Sequence, residues 1–283
     1  MDFLAIGHVT LDRRDGTFTP GGTVTFASLT ALKLGYTPAV LTRAGEDFPL
    51  EEALPGVETH RLPSPVTTTF RNIYKDGRRT QYVDAVADPI PASALPEGWE
   101  HAPIVLLGAV AAEIDPAFAR SFPRALLGVV PQGWGRRWDE TGRVYPRPWE
   151  EADQVRPYTD LLVFSNEDFG GDPEIQRQLI QSFPLVVVTL SARGCIVYQE
   201  GVPTHVPPRP ANEVDPTGAG DVFTAAMLIR LYETRDPLHS AYFANVLASF
   251  AIEDIGPSGI PTREQVMAYL EEHPWTSAEV PAR

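Results

Sequence analysis

The segment Asp215-Pro216-Thr217-Gly218-Ala219-Gly220-Asp221-Val222-Phe223 carries the most chemistry in this sequence. Gly218, Ala219 and Gly220 have almost no side chain, so their N–H groups are open to close approach. At the start of a helix such groups, together with the helix dipole, form an anion site. Asp221 is the odd member, because a carboxylate repels a resting phosphate. It makes sense as a base acting on a hydroxyl that attacks the phosphorus. The plain alternative is an ordinary turn followed by an acid that favours a first helical turn. A dinucleotide reading fits poorly: Phe223 stands at the third glycine position, and the segment lies far from the first strand.

Few other residues compete for a catalytic role. The only lysines are Lys33 and Lys75, and neither lies in a Walker P-loop or in the V-A-I-K strand of protein kinases. The single cysteine, Cys195, sits in an apolar stretch and reads as an inert buried thiol. The six histidines are scattered without H-E-x-x-H spacing.

The elements that must position these groups follow from the apolar pattern. Short apolar runs at 3–7, 39–42, 104–107, 126–130, 161–165 and 185–190 alternate with helical or loop segments. That rhythm predicts a parallel sheet covered on both faces. Helices are expected at about 23–34, ending at Gly35, at 220–232, at 237–255, and at 262–272 with Thr262 and Gln265 in capping-box spacing. Residues 67–74 and 78–83 flank Lys75-Asp76-Gly77 and read as a hairpin; Arg13-Arg14-Asp15-Gly16 reads as a turn. The 28 prolines cluster at junctions such as Pro207-Pro208 and act as loop stiffeners.

The chain has 283 residues, 43% hydrophobic and 21% charged, which are globular values. A net charge of −14 argues against nucleic acid or an anionic membrane as partner. No apolar run reaches the length of a membrane span and the N-terminal segment does not read as a signal peptide, so a cytoplasmic protein is the expectation.

The glycine-rich segment is similar to the D-x-x-G-A-G-D signature of the ribokinase-like, or PfkB-type, carbohydrate kinases. Further segments resemble that family in the same order: Gly21-Gly22 before a helix, Gly45-Glu46-Asp47-Phe48, Thr67-Thr68-Thr69 with its hairpin, and Thr189-Leu190-Ser191-Ala192-Arg193-Gly194. The likeness runs from residue 3 to about 270. It implies a single α/β domain over 1–283, a three-layer α/β/α fold with a mostly parallel central sheet and a small β lid at about 9–20 and 66–86.

The resemblance also assigns roles. Asp221 matches the catalytic base, and Gly218, Ala219 and Gly220 the anion hole for the transferring phosphoryl. Asp12, Gly21 and Gly22 match the substrate contacts. Thr189, Ser191 and Gly194 match the nucleotide segment, and Asn245 lies near the family's adenine pocket. Asp215 matches a monovalent-cation ligand of some members, so K+ joins ATP and Mg2+ as an implied cofactor. Three departures stand out. Phe26 replaces an asparagine that binds the sugar in ribose-type members, Ser191 replaces a glycine, and the magnesium-linked N-x-x-E element is blurred, with Asn166 and Asp168 its best representatives. The segment 131–139, with Gln132 and Arg137 as acceptor contacts, is similar to the myo-inositol 3-kinase-like branch. These features imply an ATP-dependent kinase of a small polyol, cyclitol or sugar, with a homodimer through the lid as an expected partner arrangement. A nucleoside kinase with Phe26, Phe70 and Tyr82 as stacking groups is the first alternative; a non-catalytic sugar- or nucleotide-binding module is the second.

Overall fold

The computed structural model describes residues 1–14, 16–75 and 78–275. Asp15 of the first turn, Asp76 and Gly77 of the hairpin turn, and the last eight residues lie outside the described residues. Fifteen strands are described: β1 Phe3–Ile6, β2 Thr10–Arg14, β3 Thr17–Gly21, β4 Pro38–Ala44, β5 Glu58–Pro63, β6 Thr68–Lys75, β7 Arg78–Ala85, β8 Ile104–Gly108, β9 Leu126–Val130, β10 Arg136–Trp138, β11 Val144–Pro146, β12 Leu161–Ser165, β13 Leu185–Thr189, β14 Cys195–Gln199 and β15 Val202–Val206. The helices are α1 Thr23–Lys33, α2 Leu50–Ala53, α3 Ala152–Val155, α4 Pro173–Ser182, α5 Ala219–Thr234, α6 Pro237–Ala251 and α7 Arg263–Glu272.

Nine strands form one sheet in the order β15-β14-β13-β12-β9-β8-β1-β4-β5. Pairing is parallel from β13 to β5, and β14 and β15 add an antiparallel edge. The central strands are continuous apolar runs because both their faces are covered. Every residue of β1 and β8 is buried. One face packs against α1, α5 and α6 through residues such as Val24, Leu228 and Phe243. The other packs against α4, 3-10 turns and loops, where Trp134, Trp149 and Phe183 stack with centroids 5.1 and 5.9 Å apart.

The chain leaves β1 to build outward in both directions, to β4 and β5 on one side and to β8, β9, β12 and β13 on the other. Such a reversal opens a crevice beyond the carboxyl ends of the strands. Over that crevice lies a four-stranded sheet, β3-β2-β6-β7, in which β2 pairs parallel with β6 and the other pairs are antiparallel. It joins the segments expected as lid strands. A two-stranded hairpin, β10-β11, was not anticipated from the sequence.

One helix ends well before its expected end, and another keeps its expected cap. The 237–255 helix stops at Ala251, since the Ile252 carbonyl is taken by the N–H groups of Val214 (2.8 Å) and Asp215 (3.1 Å). The last helix begins at Arg263, with Thr262 outside it as N-cap and a complete capping box to Gln265. No helix of the described residues is long and apolar enough to cross a membrane.

Candidate active site

The crevice collects side chains from five separate segments. Asp221 stands in the first turn of α5, whose N-cap, Gly218, is left-handed at φ 78°. A Cβ at Gly218 would overlap the ring of Phe26, so this turn needs glycine for both its conformation and its space. The ring of Phe26 is only 2% exposed. It is the floor beneath the Gly218 turn: an apolar ring fills the space against which the turn is built. Ala219 N donates to Pro216 O at 3.2 Å, which closes the turn.

The N-terminus of α1 meets that of α5 here. Thr23, the first residue of α1, hydrogen-bonds the Asp221 carboxyl. Burial pushes the Asp221 carboxyl up to about 6; Thr23 and the charge of Arg136 oppose the rise, while the charges of Asp12 and Asp168 add to it. A carboxyl so placed is ionised at neutral pH yet basic enough to accept a hydroxyl proton.

Asp12 lies on β2 opposite Thr19 of β3 and Phe70 of β6. Its carboxylate rests against Gly21, where any Cβ would collide with Asp12 Oδ2. Gly22 follows as the N-cap of α1. Asp168 lies just beyond β12. Its Oδ2 accepts from Ser165 N (2.8 Å) and its Oδ1 from Gln132 Nε2 (3.3 Å), which brings Gln132 into the same cluster. Of the acids in that element, Asp168 is the one hydrogen-bonded to Gln132. Phe169 is buried and Glu167 is exposed. Asn166 reaches the neighbouring strand through its backbone, donating to Thr189 O at 3.0 Å. Ser191 is left-handed at φ 53°, the backbone form its glycine-bearing counterparts take easily, and Gly194 closes the loop with its carbonyl on Leu190 N (2.7 Å).

Three further residues named from the sequence have protein partners of their own. Arg137 points away from the carboxylates, its Nε donating to Pro146 O at 3.4 Å and its guanidinium 5.6 Å from the Tyr145 ring. Its neighbour Arg136 is the arginine that faces the site, because successive strand residues alternate sides. Asn245 is buried rather than on the surface. Its Nδ2 donates to Val206 O (3.0 Å) and Pro207 O (3.1 Å) and so ties down the loop after β15. Asp215 accepts from Thr217 N (3.1 Å) and from Gly256 N (3.2 Å). No group of three or more His, Cys, Asp or Glu suited to a metal occurs among the described residues. Thr23 and Arg136 were not singled out from the sequence.

A groove of about 930 Å³ lined by Phe183, Tyr198 and Val202 lies at the opposite ends of the strands and holds none of these carboxylates. The chemistry of the crevice therefore identifies the site better than cavity size does.

Residues 145–263 match the model of the pfkB family of carbohydrate kinases. That match covers the second half of the chain. It is 27% identical over 266 residues to the inositol 3-kinase of Oryza sativa subsp. japonica, covering 88% of this chain and 66% of that protein. It is 38% identical over 237 residues to the inositol 3-kinase of Zea mays, covering 79% and 60%. The match thus spans about two thirds or less of the length of these relatives. Among solved structures, a pyrophosphate-dependent kinase in the ribokinase family, complexed with a pyrophosphate analogue and myo-inositol, superposes with a TM-score of 0.76 at 25% identity, over 94% of this chain and 99% of that one.

Proposed function

We propose that this ribokinase-like chain is a phosphotransferase that moves a phosphoryl group to a hydroxyl of a small polyol, a cyclitol such as myo-inositol before a furanose sugar. The observation that carries the reading is a buried Asp221 at the Gly218–Gly220 turn, hydrogen-bonded to Thr23 and within the electrostatic reach of Asp12, Asp168 and Arg136. Resemblance to inositol 3-kinases supports the acceptor class.

In this reading Asp12 accepts hydrogen bonds from acceptor hydroxyls and orients the ring. Asp221 takes the proton of the attacking hydroxyl as its oxygen bonds to phosphorus. The bond from phosphorus to the donor oxygen breaks, and the shortened donor leaves with the electron pair. The N–H groups of Gly218 and Gly220 hold the phosphoryl oxygens as charge builds. The four-stranded sheet serves as the lid that excludes water from the donor. Mg2+ supplies charge neutralisation on the donor phosphates when bound. Asp168, with Asn166 beside it, is a donor set suited to an ion that keeps most of its ligands as water and phosphate oxygen.

Mg-ATP is the first donor, read by the segment Thr189, Ser191 and Gly194. A second reading, pyrophosphate, is favoured by the structural neighbour bound to a pyrophosphate analogue. Both leave the acceptor chemistry unchanged.

The test is a product-release assay with each donor and a panel of myo-inositol, other cyclitols, ribose, fructose and adenosine. Turnover is expected on a cyclitol and its loss in Asp221→Asn. Preference for adenosine would replace the cyclitol reading with a nucleoside kinase. Binding of acceptor and donor without turnover on any panel member would replace both with a non-catalytic module.

A further inference from the structure

The four-stranded sheet is tied to neighbouring elements at its edge and at its root. At the β7 edge, Val83 N donates to Gly142 O of the β10-β11 hairpin at 2.8 Å. At the root, four backbone connections join it to the rest of the fold: residues 7–9 before β2, Gly22 after β3, residues 64–67 before β6 and residues 86–89 after β7. His8 stands where these connections meet, and it is fully buried. Its Nδ1 lies 2.8 Å from Thr68 Oγ1 at the start of β6, and its Nε2 lies 3.0 Å from Asp88 O beyond the end of β7. Its carbonyl presses on Gly22 so closely that a Cβ there would collide with it. One residue thus reaches all four connections.

The partners of this ring fix its protonation. A backbone carbonyl only accepts, so Nε2 carries the proton and donates to Asp88 O. Nδ1 of the neutral ring then accepts, and the Thr68 hydroxyl donates to it. The same hydroxyl oxygen accepts from Ala87 N at 3.0 Å. The series from Ala87 N–H through Thr68 and His8 to Asp88 O is therefore satisfied with no charge on the ring. Burial holds the imidazole below its usual range; the charge of Glu113 and the bond to Asp88 O oppose that fall, the charge of Arg43 adds to it, and the charge of Asp88 opposes it. Both outer charges belong to the joint. The buried Glu113 carboxylate accepts from His8 N (3.0 Å), Val110 N (3.0 Å) and Ala111 N (2.7 Å). Arg43 of β4 donates to Pro63 O (3.0 Å) and Pro89 O (2.7 Å), which binds the end of β5 and the segment after β7 to the large sheet.

We propose that His8 is a positioning residue, whose neutral ring pins the root of the lid in the pose that presents Asp12 to the acceptor. Asp12 follows His8 by four residues along β2, whereas Asp221 stands on α5 outside the lid. A rotation of the lid about its root therefore carries Asp12 with it and leaves Asp221 and the Gly218–Gly220 turn in place. Loss of the Thr68 hydroxyl strips a buried ring nitrogen and the Ala87 N–H of their partners. The lid then populates other poses, and acceptor affinity falls by the fraction of chains no longer in the competent one. Donor contacts at the α5 turn do not depend on the joint. The inference rests on the phosphotransfer reading and names what sets the geometry of its acceptor site.

The test is steady-state kinetics of the whole chain with myo-inositol and whichever donor the wild type uses, on Thr68→Val, Thr68→Ser, His8→Gln and Thr262→Ala, with melting curves to confirm folding. Thr68→Val keeps the shape but not the hydroxyl. Its acceptor KM rises by about fivefold or more, the low end for a buried group left without its partner, with the donor KM held within about twofold. Thr68→Ser restores the hydroxyl and returns the acceptor KM to within about twofold of wild type. His8→Gln keeps a donor for Asp88 O but no acceptor for Thr68, so its acceptor KM moves in the same direction as that of Thr68→Val and decides the matter if Thr68→Val fails to fold. Thr262→Ala removes the cap of α7, an element outside the lid; it lowers the melting temperature and leaves both KM values unchanged. A merely structural role for His8 would lower the melting temperature of Thr68→Val without separating the two KM values. A wild type that phosphorylates a polyol while folded Thr68→Val and His8→Gln keep its acceptor KM overturns this inference alone. A wild type with no turnover on any polyol and either donor removes the phosphotransfer reading, and the inference falls with it.

Discussion

Replacing Asp221 by asparagine should make the protein more stable while removing its activity. Its carboxyl rises from about 3.8 in the unfolded chain to about 6 in the fold, chiefly through burial. A raised carboxyl binds its proton more tightly when folded, so its ionised form costs stability. The cost is absent below about pH 4, grows between pH 4 and 6, and is complete above 6. A rise of about two units corresponds to at most about 3 kcal/mol. Allowing for partial solvent access and the retained contact with Thr23, about 1–3 kcal/mol is expected. For a chain of this length that is a gain of about 2–5 °C in melting temperature. Asp221→Asn should therefore melt higher than the wild type by about that amount at pH 8, and by about half of it at pH 5. Its kcat should fall by at least about 100-fold, the loss expected of a general base. Thermal unfolding at the two pH values, run beside the coupled assay, checks both. An Asp221→Asn protein that melts no higher than wild type at pH 8, or whose gain does not shrink at pH 5, would refute the reasoning that burial strains this carboxylate.

Thr23→Val removes a hydrogen bond that favours the ionised form of Asp221, so the acid limb of kcat/KM should move to higher pH, read from a pH series between 5 and 9. Gly218→Ala places a methyl group on the Phe26 ring in a left-handed position; a loss of about 10²-fold or more in kcat and a stability loss of at least about 1 kcal/mol are expected, by kinetics and urea unfolding. Asn245→Ala leaves the Val206 and Pro207 carbonyls without their shared donor and should cost about 1–3 kcal/mol of stability in the same unfolding assay. Its kcat is expected to change less than that of Gly218→Ala, because the amide supports a loop rather than the phosphoryl site.

Local signals made some of this structure legible in the sequence. The capping box at Thr262 and Gln265 marked the start of α7 because both partners lie within four residues. The apolar runs from Leu161 to Ser165 and from Leu185 to Thr189 announced parallel strands because burial on both faces leaves no alternation. The Gly218–Asp221 turn was visible because a helix N-terminus and its acid are contiguous. What sequence did not show depends on register or on distant partners. Arg136 and Arg137 differ by one position, and a one-residue change of strand register exchanges the residue facing the carboxylates for the one facing Tyr145. That Gly218 rests on Phe26 could not be read from the sequence, because the two lie far apart along the chain. Asn245 was judged by its helix, whereas its partners are carbonyls beyond β15. The β10-β11 hairpin escaped notice because three-residue strands carry almost no periodicity, and its anchor, Gly142 on Val83, is a tertiary contact.

The central claim is that this chain transfers a phosphoryl group to a polyol hydroxyl with Asp221 as base. Phosphorus NMR of a reaction with myo-inositol, Mg2+ and either ATP or pyrophosphate tests it most directly. A new phosphomonoester signal, growing with wild type and absent with Asp221→Asn, is the predicted result. No phosphomonoester from either donor, or equal growth of the signal with Asp221→Asn, would contradict the account.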